Sequence, residues 1–551
     1  MNPWLRNRAS NKAFSVLTPG FSYQLILRKL GSRPYPASLN ALGIGVLAFA
    51  VSAALGLFLG IPEPSAHDEF SYLLAADTFA HGRLTNPTHP MWMHFETFHV
   101  IHQPTYMSKY MPAQGLFLAL GRVVGGHPIV GVWFAMAFMC AAICWMLQAW
   151  LPRRWALFGS LLTIIHPYVG IGSYWAQSYW GGAVPAAGGA LLLGGVRSIV
   201  RMPRISYALA TGIGLAILAN SRPYEGLVIS VPLGIGLLIK LFGQSKHSIG
   251  VIIKRVLLPL TLLGAITVAC MGYYNYRVAG NVLRIPYLVH EETYGMFAYF
   301  VWQKLPLPPT YRHTVIRDYH AQYELPRYLE KQSIAGFFEV NFSILFTYLL
   351  VSGNVFLVAL VGAGGSFPAF CWRDSSGRFA FLTYIFFACG LMLETVMSLH
   401  YWAPITGLNY FFITQSMRLW RARDRRAAQL AIYILPLLAL ALLAINAYRS
   451  AHAHDHFAWH LQRARLLTEL SNSDGRHLIL VQYGPNHSYD REWVYNDADI
   501  DAAKVVWARD MDPKENCKLV KYFNDRTIWS LKIDNDEAPI KLNPFPKQSC
   551  H

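Results

Sequence analysis

Charge is scarce in this chain. Of its 551 residues, 14% are Asp, Glu, Lys or Arg and 54% are hydrophobic, where an ordinary soluble domain carries about 25% charged residues. That shortfall excludes a typical water-soluble fold. Acidic residues are the scarcer sign, 30 against 47 Lys and Arg, for a formal net charge of +17. The basic excess does not point to nucleic acid. It is not gathered in one long tail but spread in short segments between apolar runs, which is how topology signals are distributed. Cysteine is sparse too, and seven residues are too few for a disulfide scaffold. Cys140, Cys144, Cys270, Cys371 and Cys389 fall in or beside apolar runs and read as packing residues. Cys517 and Cys550 lie in a polar tail; outside the cytoplasm they are free to pair, and the sequence leaves that open. Internal repeats and low-complexity tracts are lacking, which excludes solenoids and arrays.

Long apolar runs are abundant, and several reach the roughly 20 residues that span a bilayer. The expected fold is a polytopic α-helical membrane protein. Basic residues mark the cytoplasmic side. Arg6, Arg8, Lys12, Arg28, Lys29 and Arg33 precede the first run, so the N-terminus is expected inside. That run is longer than the roughly 7–15 apolar residues of a signal peptide, and reads as a retained anchor. Eleven spans follow, at about 40–61, 129–151, 155–171, 182–199, 206–220, 225–243, 256–275, 352–371, 379–399, 403–417 and 427–447. Long outer loops fall at about 62–127 and 276–333. The stretch 333–351 carries Glu339 and Asn341 and reads as an interfacial helix. The chain thus divides into a transmembrane domain over residues 1–447 and a C-terminal domain over residues 448–551. In the latter, 477–483, 504–508 and 527–531 read as strands and 513–523 as a helix, the makings of a small soluble α/β domain on the outer side.

The acidic pair Asp68-Glu69 follows the first span directly. Carboxylates beside lipid are expensive to keep, so a functional role competes with that of a solvated helix end. Apolar residues at helical spacing (Phe70, Leu73, Leu74, Ala75) predict short helices along the membrane surface in this loop. The loop also carries six histidines from His67 to His102. His99 and His102 can share a helical face, but without a cysteine and with loose spacing they are a weak metal signature. The segment 173–182, with Tyr174 and Trp175, is either an interfacial aromatic belt or a sugar-stacking surface. Arg222 either anchors a helix end by snorkelling or takes a role in the chemistry, with Glu225 as its partner. Glu291-Glu292 and Trp302 place a lid or cleft in the second outer loop.

The run from His67 to Gly82 resembles the opening of the first outer loop in membrane glycosyltransferases with the GT-C fold, in the branch of protein O-mannosyltransferases and lipid A aminoarabinose transferases. That branch has an Asp-Glu pair after span one, a Tyr three residues after the Glu and a Gly about ten further on; Tyr72 and Gly82 stand in those places. Lys109 to Pro112, followed by Leu116 to Leu120, is similar to the family's Lys-Pro-Pro-Leu helix. His400-Tyr401 and Pro404 resemble its Arg-Tyr and Pro motif, with His where many relatives have Arg.

The resemblance implies an inverting transferase that moves a hexosyl or pentosyl group from a polyprenyl-phosphate donor. The acceptor is a hydroxyl on a lipid, glycan or protein, at the outer face of a bacterial inner membrane. Asp68 is the expected general base. Glu69, about 100° away on a helix, orients the acceptor or binds a metal. Lys109, Arg222, His400 and Tyr401 are expected on the donor phosphate and lipid, and Tyr72, His102, Tyr174 and Trp175 on sugar or acceptor. No cofactor is required, and a divalent metal on Asp68 or Glu69 stays open. The rival class is a transporter or lipid flippase, which places ionisable residues near the bilayer midplane; Glu394 is the main residue of that kind here. A non-catalytic scaffold is the third reading.

Overall fold

The computed structural model describes residues 37–243, 247–451, 458–534 and 540–545. The basic N-terminal tail and the pairing of Cys517 with Cys550 fall outside the described residues. Among the described residues, seven helices are long and apolar enough to cross a membrane: Ala37–Leu59, Pro128–Trp150, Ala183–Arg201, Pro223–Gly243, Ile249–Ala279, Ile334–Ala363 and Arg425–Arg449. Ile205–Ala219 and Ser375–Leu391 are shorter apolar helices. Exposed Leu262, Ile266 and Val268 on Ile249–Ala279 show how these helices keep apolar side chains on their outward surface.

Pro128–Trp150 is the central helix. Ala37–Leu59 packs on one side of it and Ala183–Arg201 on another, with Ile205–Ala219 packed behind the latter. Its start is set locally. Gly126, in a left-handed conformation (φ 75°), ends the preceding helix Pro112–Gly125, and His127 accepts from the Ile129 amide at 3.2 Å. Pro128 then supplies a preset φ at the first helical position. The two helices cross at Gly131, where a Cβ would stand 2.0 Å from the Phe117 carbonyl oxygen. A small residue is required there for the backbones to touch.

The segment 333–351 differs from expectation. It does not lie apart from the next span. Helix Ile334–Gly353 continues through a short turn at Asn354–Phe356 into Leu357–Ala363, as one apolar stretch of 30 residues with Phe338, Phe342 and Phe346 exposed. Two polar side chains in an apolar helix are tolerable because Asn341 turns inward, bonding Lys331 at 3.0 Å and the Met392 carbonyl at 3.3 Å, and Glu339 stays exposed.

The segment 62–127, expected as the first outer loop, is ordered by the helices His67–Ala80 and Pro112–Gly125 and by a small antiparallel sheet, β1 (Asn86–Pro87), β2 (Val100–Ile101) and β3 (Thr105–Ser108), in the order β1-β3-β2. The helices were expected; the sheet was not. The second outer loop holds Pro286–Tyr294, Thr314–Tyr319 and Leu325–Glu330.

The C-terminal segment forms a four-stranded sheet, β4 (Arg476–Tyr483), β5 (Val505–Arg509), β6 (Arg526–Ile533) and β7 (Leu542–Pro544), ordered β5-β4-β6-β7. β4 runs parallel to β5 (His477 opposite Val505) and to β6 (Arg476 opposite Arg526), and β7 is antiparallel. Parallel strands are buried on both faces. Here the loop helix His67–Ala80 helps to cover both: Leu74 joins the core with Leu478, Leu480 and Val506, and Phe70 joins Ile479, Val481 and Trp507. Helix Pro513–Tyr522 lies where the sequence indicates; Trp459–Asn472 and β7 were not expected.

Within this segment the Arg509 guanidinium donates to Glu492 at 2.6 Å, both side chains being buried. Removing one partner of a buried pair leaves the other charge uncompensated. Glu492→Gln is expected to cost about 3–5 kcal/mol, measured as the loss in thermal unfolding of the detergent-solubilised protein.

Candidate active site

Helix ends and loops converge on one cavity of about 310 Å³. Asp68 is the second residue of His67–Ala80, Lys109 and Tyr110 lie just before Pro112–Gly125, Arg222 caps Pro223–Leu238, and His400 and Tyr401 sit in the turn Leu399–Ile405. All six line the cavity. Lining side chains from the second outer loop, Tyr287, Tyr299, Tyr319, Tyr323 and Glu324, complete it.

The Tyr110 hydroxyl donates to Asp68 Oδ1. On the other oxygen, His99 Nε2 stands 4.0 Å from Oδ2, and the Asp68 side chain stays 27% exposed. His99 is buried with φ 60°, a left-handed conformation that in a non-glycine residue costs on the order of 1–3 kcal/mol. The Lys109 amide and the Ser71 hydroxyl hold it there, donating to the His99 carbonyl at 3.0 Å and 2.6 Å.

Lys109 and Arg222 are the Lys and Arg residues lining the cavity among the described residues. Burial pulls the Lys109 ammonium down from its ordinary value, while Glu324, Asp68 and Glu291 push it back up. Arg222 pairs with Glu225 at 3.4 Å and lies over the Tyr401 ring at 4.1 Å, so its plane is fixed by a carboxylate and an aromatic face. Burial, and then the Arg222 charge, hold His400 well below the usual imidazole range. It is therefore a neutral hydrogen-bonding group and does not supply the positive charge that Arg supplies in many members of the family it resembles. Glu394 lines the same cavity, with buried Oε2 unpartnered among the described residues.

Five expected residues lie elsewhere. Glu69 turns away: its carboxylate accepts from the amides of Ser65 (2.8 Å), Ala66 (3.1 Å) and Tyr179 (3.0 Å). It reaches back over its own helix start, as in half of a capping box. With both oxygens engaged by backbone donors it does not fit a metal shared with Asp68. Among the described residues no group of three His, Cys, Asp or Glu is placed to hold an ion. His102 stacks on Tyr106 at 5.4 Å, away from the cavity. Tyr174 and Trp175 line a separate cavity of about 140 Å³ with Tyr348, Ser352 and Asn409. Trp180 from that segment lines the site, its ring meeting His400 at 4.9 Å, and Tyr174 meets the same His400 ring at 6.4 Å without lining the cavity. Tyr72 does not line the cavity but backs it, stacked on Tyr110 at 4.5 Å. The tyrosines of the second outer loop and Glu324 were missed; a tyrosine-rich loop was their only signal in the sequence.

No protein-family model matches this chain, and no curated protein matches it in sequence. Among solved structures, ArnT from Cupriavidus metallidurans in the apo state matches with a TM-score of 0.50 at 12% identity, over 88% of this chain and 92% of that one. The same protein bound to undecaprenyl phosphate gives 0.47 and 11%, over the same shares. The Archaeoglobus fulgidus oligosaccharyltransferase gives 0.46 and 11%, over 80% of this chain and 62% of that one; this chain spans less than two thirds of its length. At such identities the likeness is one of fold, and the fold is GT-C.

Burial, then the Glu324 charge, push Glu291 up to about 8 against an ordinary 4.5, with Lys109 pulling the other way. Between those values the folded protein keeps a proton that the unfolded chain has released, so this residue's contribution to stability falls as pH rises through the window. Glu291→Gln does not titrate. The melting temperature of the variant, relative to wild type, is expected to rise between pH 5 and pH 8, read from paired thermal melts.

Proposed function

We propose that this GT-C protein is a glycosyltransferase that moves a sugar from a polyprenyl-phosphate donor to a hydroxyl of a lipid, glycan or protein. The observation that carries the reading is the convergence of Asp68, Lys109, Arg222, His400 and Tyr401, from four separate stretches of sequence, on one cavity.

The chemistry follows from the groups present. A hydroxyl is a weak nucleophile, and a carboxylate within reach of its proton makes it a stronger one. Asp68 takes that proton. The acceptor oxygen forms a bond to the anomeric carbon while the bond from that carbon to the phosphate oxygen breaks, and the phosphate leaves with the electron pair. One carboxylate acting as base on the face opposite the leaving group gives inversion. The negative charge growing on the phosphate needs fixed cations and donors. Lys109 and Arg222 supply charge, and neutral His400 a hydrogen bond. The tyrosine-lined wall suits the apolar faces of a sugar ring.

The proposed topology has eleven crossings. The seven long helices are joined by the shorter Arg153–Ile164, Ile205–Ala219, Ser375–Leu391 and Thr406–Arg423. The cavity then opens at the outer face of a bacterial inner membrane, with the N-terminus in the cytoplasm. Residues 448–551 form a periplasmic domain beside the transmembrane domain of residues 1–447.

The test is transfer of labelled sugar, by the full-length protein in liposomes, from a panel of polyprenyl-phosphate-linked hexoses and pentoses to a membrane lipid and glycan extract. Asp68→Asn is expected to lower kcat by roughly 10²–10⁴, the usual range for loss of a general base. Arg222→Gln is expected to weaken donor binding as well as rate. Transfer that survives Asp68→Asn intact overturns the mechanism. Lipid translocation without transfer from any donor puts a flippase in its place.

A further inference from the structure

We propose that His99 is a positioning residue for Asp68, a neutral imidazole whose Nε2–H fixes the orientation of the carboxylate; this rests on the reading of Asp68 as the base. His99 does not belong to the acidic pair, and the other contacts of the site do not require it. It nevertheless carries two local costs. Its backbone is left-handed at φ 60°, and its buried Nδ1 has no hydrogen-bond partner among the described residues. A backbone outlier retained beside reacting groups is evidence for a role there.

The geometry says which role. A neutral imidazole has one N–H and one lone pair. With the hydrogen on Nε2, the nitrogen that carries its one donor stands 4.0 Å from Asp68 Oδ2. Hydrogen bonds at such sites are often long in the empty enzyme and tighten once substrate excludes water. The Tyr110 hydroxyl already holds Oδ1. Two donors on different oxygens fix the carboxylate plane and leave a lone pair on each oxygen for the acceptor proton.

The surroundings keep the ring neutral. From His67–Ala80, His67 meets it at 5.9 Å between ring centroids; Tyr110 does so at 5.8 Å, His290 at 5.9 Å and Tyr319 at 5.8 Å. Lys109 and His320 also face it. Burial, then Lys109, then these histidines hold His99 well below the usual imidazole range. It donates without carrying charge, so it orients the Asp68 carboxylate without forming an ion pair with it.

The test compares three variants with wild type in the liposome assay, using whichever donor of the panel gives transfer. His99→Asn keeps a residue that tolerates the left-handed backbone, but its amide reaches only to the Nδ1 position. His99→Gln places an amide donor where Nε2 stood. His99→Asn is expected to lower kcat about tenfold with an unchanged donor KM. It should also move the acid limb of the kcat profile to higher pH, because losing a donor to a carboxylate favours its protonated form. His99→Gln is expected to recover a share of both effects. Wild-type kcat and pH profile in His99→Asn overturn the inference. So does an equal fall in both variants with the acid limb unmoved, which is the signature of a structural role. Asp68→Asn, run alongside, separates the layers. If it keeps transferring, the reading of the base fails and this inference with it; if it is inactive while His99→Asn is normal, only this inference fails. Absence of transfer from every donor overturns both.

Discussion

Three backbone amides converge on the Glu69 carboxylate, and the position of Asp68 depends on that contact. Two of them, from Ser65 and Ala66, close the start of helix His67–Ala80, and the third, from Tyr179, ties that start to the aromatic segment after the third apolar run. The other flank of the helix is held by the C-terminal segment. Phe70 stacks on Tyr495 with ring centroids 4.1 Å apart, His67 Nδ1 meets the Tyr495 hydroxyl at 2.8 Å, and the Ala498 amide donates to Asp77 at 2.8 Å. A charged hydrogen bond shielded from water is worth roughly twice a neutral one. Glu69 and Asp77 are therefore structural anchors, and Asp68, beside Glu69 in sequence, is the acid left free to face the cavity. Adjacent residues on a helix point about 100° apart, which is what allows one pair to divide the two tasks.

Charge in the cavity is balanced by pairing more than by number. Arg222 is committed to Glu225 and to the face of Tyr401, so it is preorganised and has little freedom left to lose when an anion arrives. Lys109 is the more adaptable cation, a point charge facing Asp68, Glu291 and Glu324. Burial, and then the Arg222 charge, keep His400 neutral, so it adds no third positive charge to the cavity. The two cations of the cavity thus differ in character, one rigid and one adaptable.

Much of this was legible in the sequence, for reasons that differ residue by residue. Asp68, Lys109, Arg222 and His400-Tyr401 stand at ends of apolar runs, where a charged or polar residue has to be explained. Strands β4, β5 and β6 were found to within two residues because buried parallel strands read as short apolar runs. The tyrosines of the second outer loop were not legible: that loop has no period, and its residues meet the site only through tertiary packing. Trp459–Asn472 was missed because its outward face is polar and its buried Arg463 breaks the apolar stripe, although that guanidinium is matched to the carbonyls of Trp493 and Tyr495 at 3.0 Å and 2.8 Å. The aromatic run 173–182 read equally as an interfacial belt or a stacking surface, and the choice of Trp180 over Trp175 depends on how Gly181 and Gly182 fold against the Trp175 ring.

The sheet β5-β4-β6-β7 shares its two cores with the loop helix His67–Ala80, and this has a consequence for parity and for biosynthesis. Two stretches that pack together lie on the same side of the bilayer, so the chain between them must cross an even number of times. The six long apolar helices between Pro128 and Arg449 satisfy that condition by themselves, and so do the ten crossings of the proposed topology in the same interval. It also sets an order of events. The loop helix is made early in translation, yet the hydrophobic partners that seat Phe70 and Leu74 follow about 400 residues later in the chain. The helix carrying Asp68 therefore waits, half-covered, until β4 to β6 are made and packed against it.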